Sequence, residues 1–193
     1  DTKEPYHYFR GMYSNYPVAD NNRIAFAITE DSNAGFQFFS HVLKDSTLIS
    51  AGGNSNILSC LEQTTSGDIL AIVDGAAFGA MIESCLEYIK VQANRRIALW
   101  MPESFEYLIL KSGVLTSREL EDILASPWNY VEAKESESWE RFFTQLLISL
   151  AKDTPFQYSK QTLNPSYLQD RTVRKITDSF PAAIRSRMDS GHE

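Results

Sequence analysis

Four apolar runs of strand length, separated by stretches long enough for helices, constrain this chain more than any other feature. They fall at Ile24–Ile28, Thr47–Ala51, Asp68–Val73 and Arg96–Trp100. The third is nearly continuous in apolar residues, as expected of a parallel strand covered on both faces. Between the runs, apolar residues recur at helical spacing: Phe36, Phe39, Val42 and Leu43 within 32–44, then Ile57, Leu58 and Leu61, then a stretch over 77–93. Ser32 or Asp31 is placed to cap the first of these helices. Strand–helix alternation with short connections implies right-handed crossovers and one mainly parallel sheet with helices on both sides. The predicted fold class is therefore α/β, with a four-stranded, mainly parallel, Rossmann-like sheet over residues 23–112.

After Glu103 the strand pattern stops. Ser104–Lys111 reads as helical, and Thr116-Ser-Arg-Glu119 is a capping-box sequence opening a helix to about Ala125, closed by Pro127. Trp139, Phe142, Phe143, Leu146, Leu147 and Leu150 form an amphipathic stripe suited to core packing. Tyr167–Phe180 reads as a further helix. Residues 113–193 are thus expected to be a C-terminal helical extension. Residues 1–22, with Tyr6, Tyr8, Phe9, Tyr13 and Tyr16 in no clean period, are expected to be an N-terminal arm ending at Asp20-Asn21-Asn22.

A chain of 193 residues is long enough for one well-buried domain with an appended subdomain. No apolar stretch approaches the roughly 20 residues that span a bilayer, so no membrane partner is expected. Cys60 and Cys85 have no CxxC or His-rich neighbourhood, which points to reduced thiols and a cytoplasmic location. A net charge of −7 argues against a general nucleic-acid coat protein. Beyond Pro155, however, Lys160, Arg171, Arg174, Lys175, Arg185 and Arg187 outnumber Asp170, Asp178, Asp189 and Glu193. That basic region either meets nucleic-acid phosphate or forms a solvated helix face.

Three acids, Glu30, Asp74 and Glu103, each follow an apolar run. Beyond the carboxyl ends of parallel strands lies the crevice where ligands bind in open α/β sheets. Carboxylates gathered there repel one another, and Mg2+ is the usual remedy. Gly52-Gly53-Asn54-Ser55-Asn56 lies at a strand-to-helix turn, where backbone N–H groups and the helix dipole favour phosphate. The plainer reading is a tight turn in which glycine supplies positive φ. The loop is neither a Walker A sequence nor GxGxxG. His7, His41 and His192 lack the neighbours of a catalytic triad or a standard zinc site.

Together, Ile28-Thr-Glu30, Gly52-Gly53, Ile72-Val-Asp74 and Pro102-Glu-Ser-Phe-Glu106-Tyr-Leu resemble the TOPRIM domain, in the branch found in OLD-family nucleases and related phage-defence proteins. The resemblance covers roughly residues 23–110. It implies Glu30 as a metal-linked acid or base, Asp74 as the first ligand of an Asp-x-Asp pair, and Glu103 or Glu106 as a later acid. Together these would hold Mg2+ for phosphodiester chemistry. Two departures make the motif degenerate. Asp31-Ser32-Asn33 follows Glu30 where the family usually has Gly and then a nearby Asp, and Ala76 stands where the second Asp of the pair is expected. Mg2+ tolerates fewer carboxylates by keeping more water. A two-metal site would need Asp31, Glu103 or Glu106 to move in.

The expected function is accordingly a degenerate TOPRIM-like interaction or nucleic-acid-processing accessory module. A partner protein such as a separate ATPase would fit, since the chain has no Walker A loop. One alternative is a Mg2+-dependent nuclease or phosphotransfer enzyme. Another is a receiver-like phosphoacceptor domain, with Glu30-Asp31 as acidic pair, Asp74 as acceptor and Ser104 after the fourth strand, but without a fifth parallel strand ending in Lys.

Overall fold

The computed structural model describes residues 12–16, 23–65, 67–75, 78–131 and 138–188. Tyr6, Tyr8, Phe9, Asp20-Asn21-Asn22, Ala76, His7 and His192 lie outside the described residues. Among the described residues, five strands form one sheet: β1 (Met12–Ser14), β2 (Phe26–Thr29), β3 (Thr47–Ser50), β4 (Asp68–Ile72) and β5 (Arg96–Trp100), in the order β1-β5-β4-β2-β3. The last four are mutually parallel, and β1 runs antiparallel along β5.

The α/β class and the parallel core of four strands agree with expectation; the strand count does not. The fifth strand lies in the segment read as an arm. Its three residues carry no alternation, and the pairing is fixed from outside by Asn15. The Asn15 amide donates to the Gln92 and Arg95 carbonyls (2.9 and 2.7 Å), and its oxygen accepts from the Ile97 N–H (2.9 Å).

The described helices are α1 (Ala34–Val42), α2 (Ile57–Gln63), α3 (Ile82–Lys90), α4 (Phe105–Lys111), α5 (Arg118–Ala125), α6 (Trp128–Val131), α7 (Trp139–Ala151), α8 (Asp170–Asp178) and α9 (Ala182–Met188). Alternation along the central strands sorts side chains between two cores. Ile69, Ala71, Val73, Ile97, Leu99 and Met101 face α2 and α3, meeting Ile57, Leu61, Cys85 and Ile89. Leu70, Ile72, Ala98 and Trp100 face the other way, toward Phe38 and Phe39 of α1.

That second core also holds Tyr107 to Leu110, Phe143, Leu147, Tyr167, Ile176, Phe180 and Ile184. The helices after residue 113 therefore cover the α1 face of the sheet. Phe180 packs its ring 4.8 Å from Trp100 and 6.0 Å from Phe39.

Cap positions differ in detail from the sequence reading. Helix α5 is capped by Ser117, whose hydroxyl accepts from the Leu120 N–H (3.1 Å). Helix α1 begins two residues later than expected, with Asn33 at the cap and no side-chain cap bond. Asp31 instead turns onto the Asn33 N–H (3.2 Å), and the Ala34 N–H is satisfied by the Lys160 carbonyl (2.9 Å). Cys60 and Cys85 are unpaired thiols, and burial raises both, Cys85 to about 11. Among the described residues no helix is long and apolar enough to cross a membrane.

Candidate functional site

The parallel strands reverse direction of build between β2 and β4. The chain steps from β2 outward to β3, then crosses back over β2 to β4 and on to β5. Such a switch point leaves a crevice at the strands' carboxyl ends, because the flanking helices lie on opposite faces. Backbone bonds stitch this rim together. The Glu30 N–H donates to the Ile72 carbonyl (3.2 Å), Val73 to Trp100 (3.0 Å) and Gly75 to Pro102 (2.7 Å).

Glu30 and Asp74 meet here, although 44 positions apart. The Asp74 backbone N–H donates to Glu30 Oε2 at 2.9 Å. Both acids line a cavity of about 170 Å3 with Asp31, Glu106, Glu140, Tyr158 and Lys160. Its apolar wall comes from α1 and α4, chiefly Phe39, Phe105 and Leu108. A Cβ at Gly35 would lie 3.4 Å from Phe105, an ordinary van der Waals contact. Desolvation raises the Glu30 carboxyl above its ordinary value; Asp31 adds to the rise, while the Asp74 N–H and Lys160 oppose it.

Of the two later acids, Glu106 lines the cavity and Glu103 does not. Both are buried. The difference is a matter of one helical turn: Glu103 precedes the cap residue Ser104, whereas Glu106 sits in the first turn of α4. Glu106 Oε1 accepts from the Tyr158 hydroxyl at 2.8 Å. Burial, and then the charge of Glu106, hold that hydroxyl far above the usual tyrosine range. Ser104 is itself fully buried and accepts from the Tyr107 N–H (3.1 Å) as the N-cap of α4.

The glycine loop lies beside this rim, with the Gly53 N–H donating to the Glu30 carbonyl (2.8 Å). Gly52 and Gly53 have φ of 72° and 142°, conformations that favour glycine. The Gly52 N–H is engaged by Ser50 Oγ (3.1 Å) and the Asn56 N–H by the Gly53 carbonyl (3.1 Å). Asn54–Asn56 form a 3-10 turn, and Ser55 and Asn56 are exposed. None of Gly52 to Asn56 lines the cavity.

Two cavity residues, Tyr158 and Lys160, come from an irregular segment beyond the helical stripe. Sequence reasoning placed Lys160 in a basic tail and gave Tyr158 no role. The remaining tail bases are scattered by the fold. Arg187 is buried and bonds the Tyr16 hydroxyl, Lys175 donates to the Gly113 carbonyl (3.1 Å), and Arg185 lies 3.9 Å from Asp178. Arg171 and Arg174 are exposed on α8.

The carboxylates at the rim offer a hard cation at most a partial set. Glu30 and Asp74 both line the cavity, with the Glu30 carboxylate accepting from the Asp74 backbone N–H. Among the described residues, no group of three or more His, Cys, Asp or Glu is placed to hold a metal ion. Fold and crevice together define an α/β protein with a polar switch-point site. In comparison with known proteins, the chain matches no family model, no curated protein and no solved structure.

Proposed function

We propose that this chain is a degenerate TOPRIM-like module serving an interaction or nucleic-acid-processing accessory role, without phosphodiester cleavage of its own. One observation carries the reading. The crevice acids are engaged within the chain: Glu30 by the Asp74 N–H and Glu106 by the Tyr158 hydroxyl. A two-ion mechanism needs carboxylate oxygens that can bridge and clamp both metals. Here Glu103 lies outside the cavity, and Glu106 would have to leave a buried hydrogen bond to contribute. A partner such as a separately encoded ATPase would supply the chemistry that the chain lacks. The exposed Arg171 and Arg174 are the bases best placed to meet nucleic acid. The receiver-like alternative gains no support from Ser104, which is buried as a helix cap.

The test is a cleavage assay on supercoiled plasmid and single-stranded oligonucleotides, with Mg2+ or Mn2+ at millimolar concentration. The wild-type chain is expected to match a Glu30→Gln/Asp74→Asn control. Cleavage that the double variant loses would overturn the accessory reading in favour of the nuclease.

A further inference from the structure

We propose that the outer edge of β1 and the apolar groove beside it form a docking surface for an extended, basic segment of a partner protein, which adds to the sheet as a further strand. The surface shares no lining residue with the crevice and stands independently of it.

The groove is open, holds about 490 Å3, and is lined by Tyr13 of β1 and by Ile82, Glu83, Leu86, Glu87 and Lys90 of α3. Tyr13, Ile82 and Leu86 are only partly buried against the core behind them. Ile82 and Leu86 stand one turn apart, so helical spacing sets them in a strip along α3. Glu83 and Glu87 repeat that spacing one residue on and are exposed, which makes the rim of the strip acidic. Lys90 lies at the C-terminal end of the helix.

The strand edge sets the shape of ligand that suits this groove. β1 ends the sheet, and among the described residues no strand pairs with its other side. The Asn15 N–H donates to the Ile97 carbonyl (3.2 Å), in register with Tyr13 opposite Leu99. Bonded residues alternate along an antiparallel pair, so Met12 and Ser14 turn their N–H and C=O groups outward. Met12-Tyr-Ser carries neither charge nor proline, two devices that blunt free edges. A strand laid there gains main-chain bonds from β1 and sets every second side chain over Ile82 and Leu86.

Charge selects among such strands. Glu83 and Glu87 favour lysine or arginine beside the apolar residues, and the net charge of −7 draws a basic segment in. A second copy of this chain would bring the same two carboxylates and the same net charge, because a two-fold interface uses one patch on both sides.

The probe is a fluorescein-labelled peptide, Lys-Lys-Val-Thr-Val-Thr-Val-Lys-Lys, titrated with the full chain and followed by anisotropy. Wild type is expected to bind it, and to bind a scrambled peptide of the same composition about tenfold more weakly. Leu86→Glu, and separately Glu83→Lys with Glu87→Lys, are each expected to weaken binding by about tenfold. Should Leu86→Glu fail to fold, Leu86→Ala is read in the same way. N-methylating all the valines, or all the threonines, blocks opposite edges of the peptide. One of the two forms is expected to lose binding and the other to keep it. No binding by wild type, equal binding of the scrambled peptide, equal binding of both N-methylated forms, or unchanged binding in the variants would each overturn the proposal. A concentration-dependent dimer in sedimentation that Leu86→Glu abolishes would overturn it too, for the occupant would then be a second copy.

Discussion

Tyr158 and Glu106 bury a hydroxyl and a carboxyl together, so removing one partner strands the other away from water. Tyr158→Phe is expected to destabilise the chain by about 1–3 kcal/mol, the usual cost of an unsatisfied buried acceptor. Glu106→Gln should cost less, because an amide oxygen still accepts from the hydroxyl. Urea unfolding of both variants checks the order; a Tyr158→Phe chain as stable as wild type would show that water reaches Glu106. Glu30 yields a prediction of opposite character. Its carboxyl is raised above the ordinary 4.5, first by desolvation and then by Asp31, against the Asp74 N–H and Lys160. The folded state therefore holds the proton more tightly than the unfolded chain. Its contribution is fully present below the ordinary value and is lost as pH rises through the raised one. Glu30→Gln should thus gain stability relative to wild type on moving from acid to neutral pH. Parallel unfolding curves with no change in the difference across that window would contradict it.

At the scale of elements, the helix starts differ in how much water can replace a lost cap. The Ser104 hydroxyl accepts from Tyr107 in a fully buried setting, whereas Ser138 caps α7 at an exposed position. Ser104→Ala is expected to cost about 2 kcal/mol and Ser138→Ala about 0.5 kcal/mol, the two ends of the range for caps. Chemical denaturation should separate them, and equal costs would show that burial is irrelevant here. The same contrast between local and long-range causes explains what could be read in advance. Strands β4 and β5 were legible because both of their faces are covered, leaving an apolar run with no competing reading. The meeting of Glu30 and Asp74 followed from topology, since both end parallel strands at a switch point. Strand β1 was not legible, because its pairing depends on Asn15 reaching the Gln92 and Arg95 carbonyls. Nor was the start of α1, whose first N–H is satisfied by Lys160, far along the chain. Glu103 and Glu106 could not be told apart before the helix start was fixed to the residue. Tyr158 gave no signal and Lys160 only its place in the basic tail, for both lie in a segment with neither helical nor strand period.

For the whole molecule, the decisive feature is that residues beyond 113 complete the core on the α1 face. Phe180 is 3% exposed, with its ring 6.4 Å from Phe38, 6.0 Å from Phe39 and 4.8 Å from Trp100. Replacing a buried phenylalanine by alanine costs about 3–5 kcal/mol through lost transfer energy and an unfilled cavity. That is a large part of the roughly 5–15 kcal/mol that holds a domain folded. Phe180→Ala should therefore lower the unfolding midpoint sharply while leaving the α2 and α3 face intact. A chain ending at residue 112 loses Phe180 together with Phe143, Leu147, Tyr167 and Ile176, and leaves Trp100 and Phe39 facing water. It is expected to lose cooperative thermal unfolding by circular dichroism and to show red-shifted Trp100 fluorescence. A sharp transition in that fragment would mean that the sheet needs only α2 and α3 to fold. In that event the helices after 113 would be a detachable cover, and the crevice residues they bring, Glu140, Tyr158 and Lys160, could be lifted from the site as a unit.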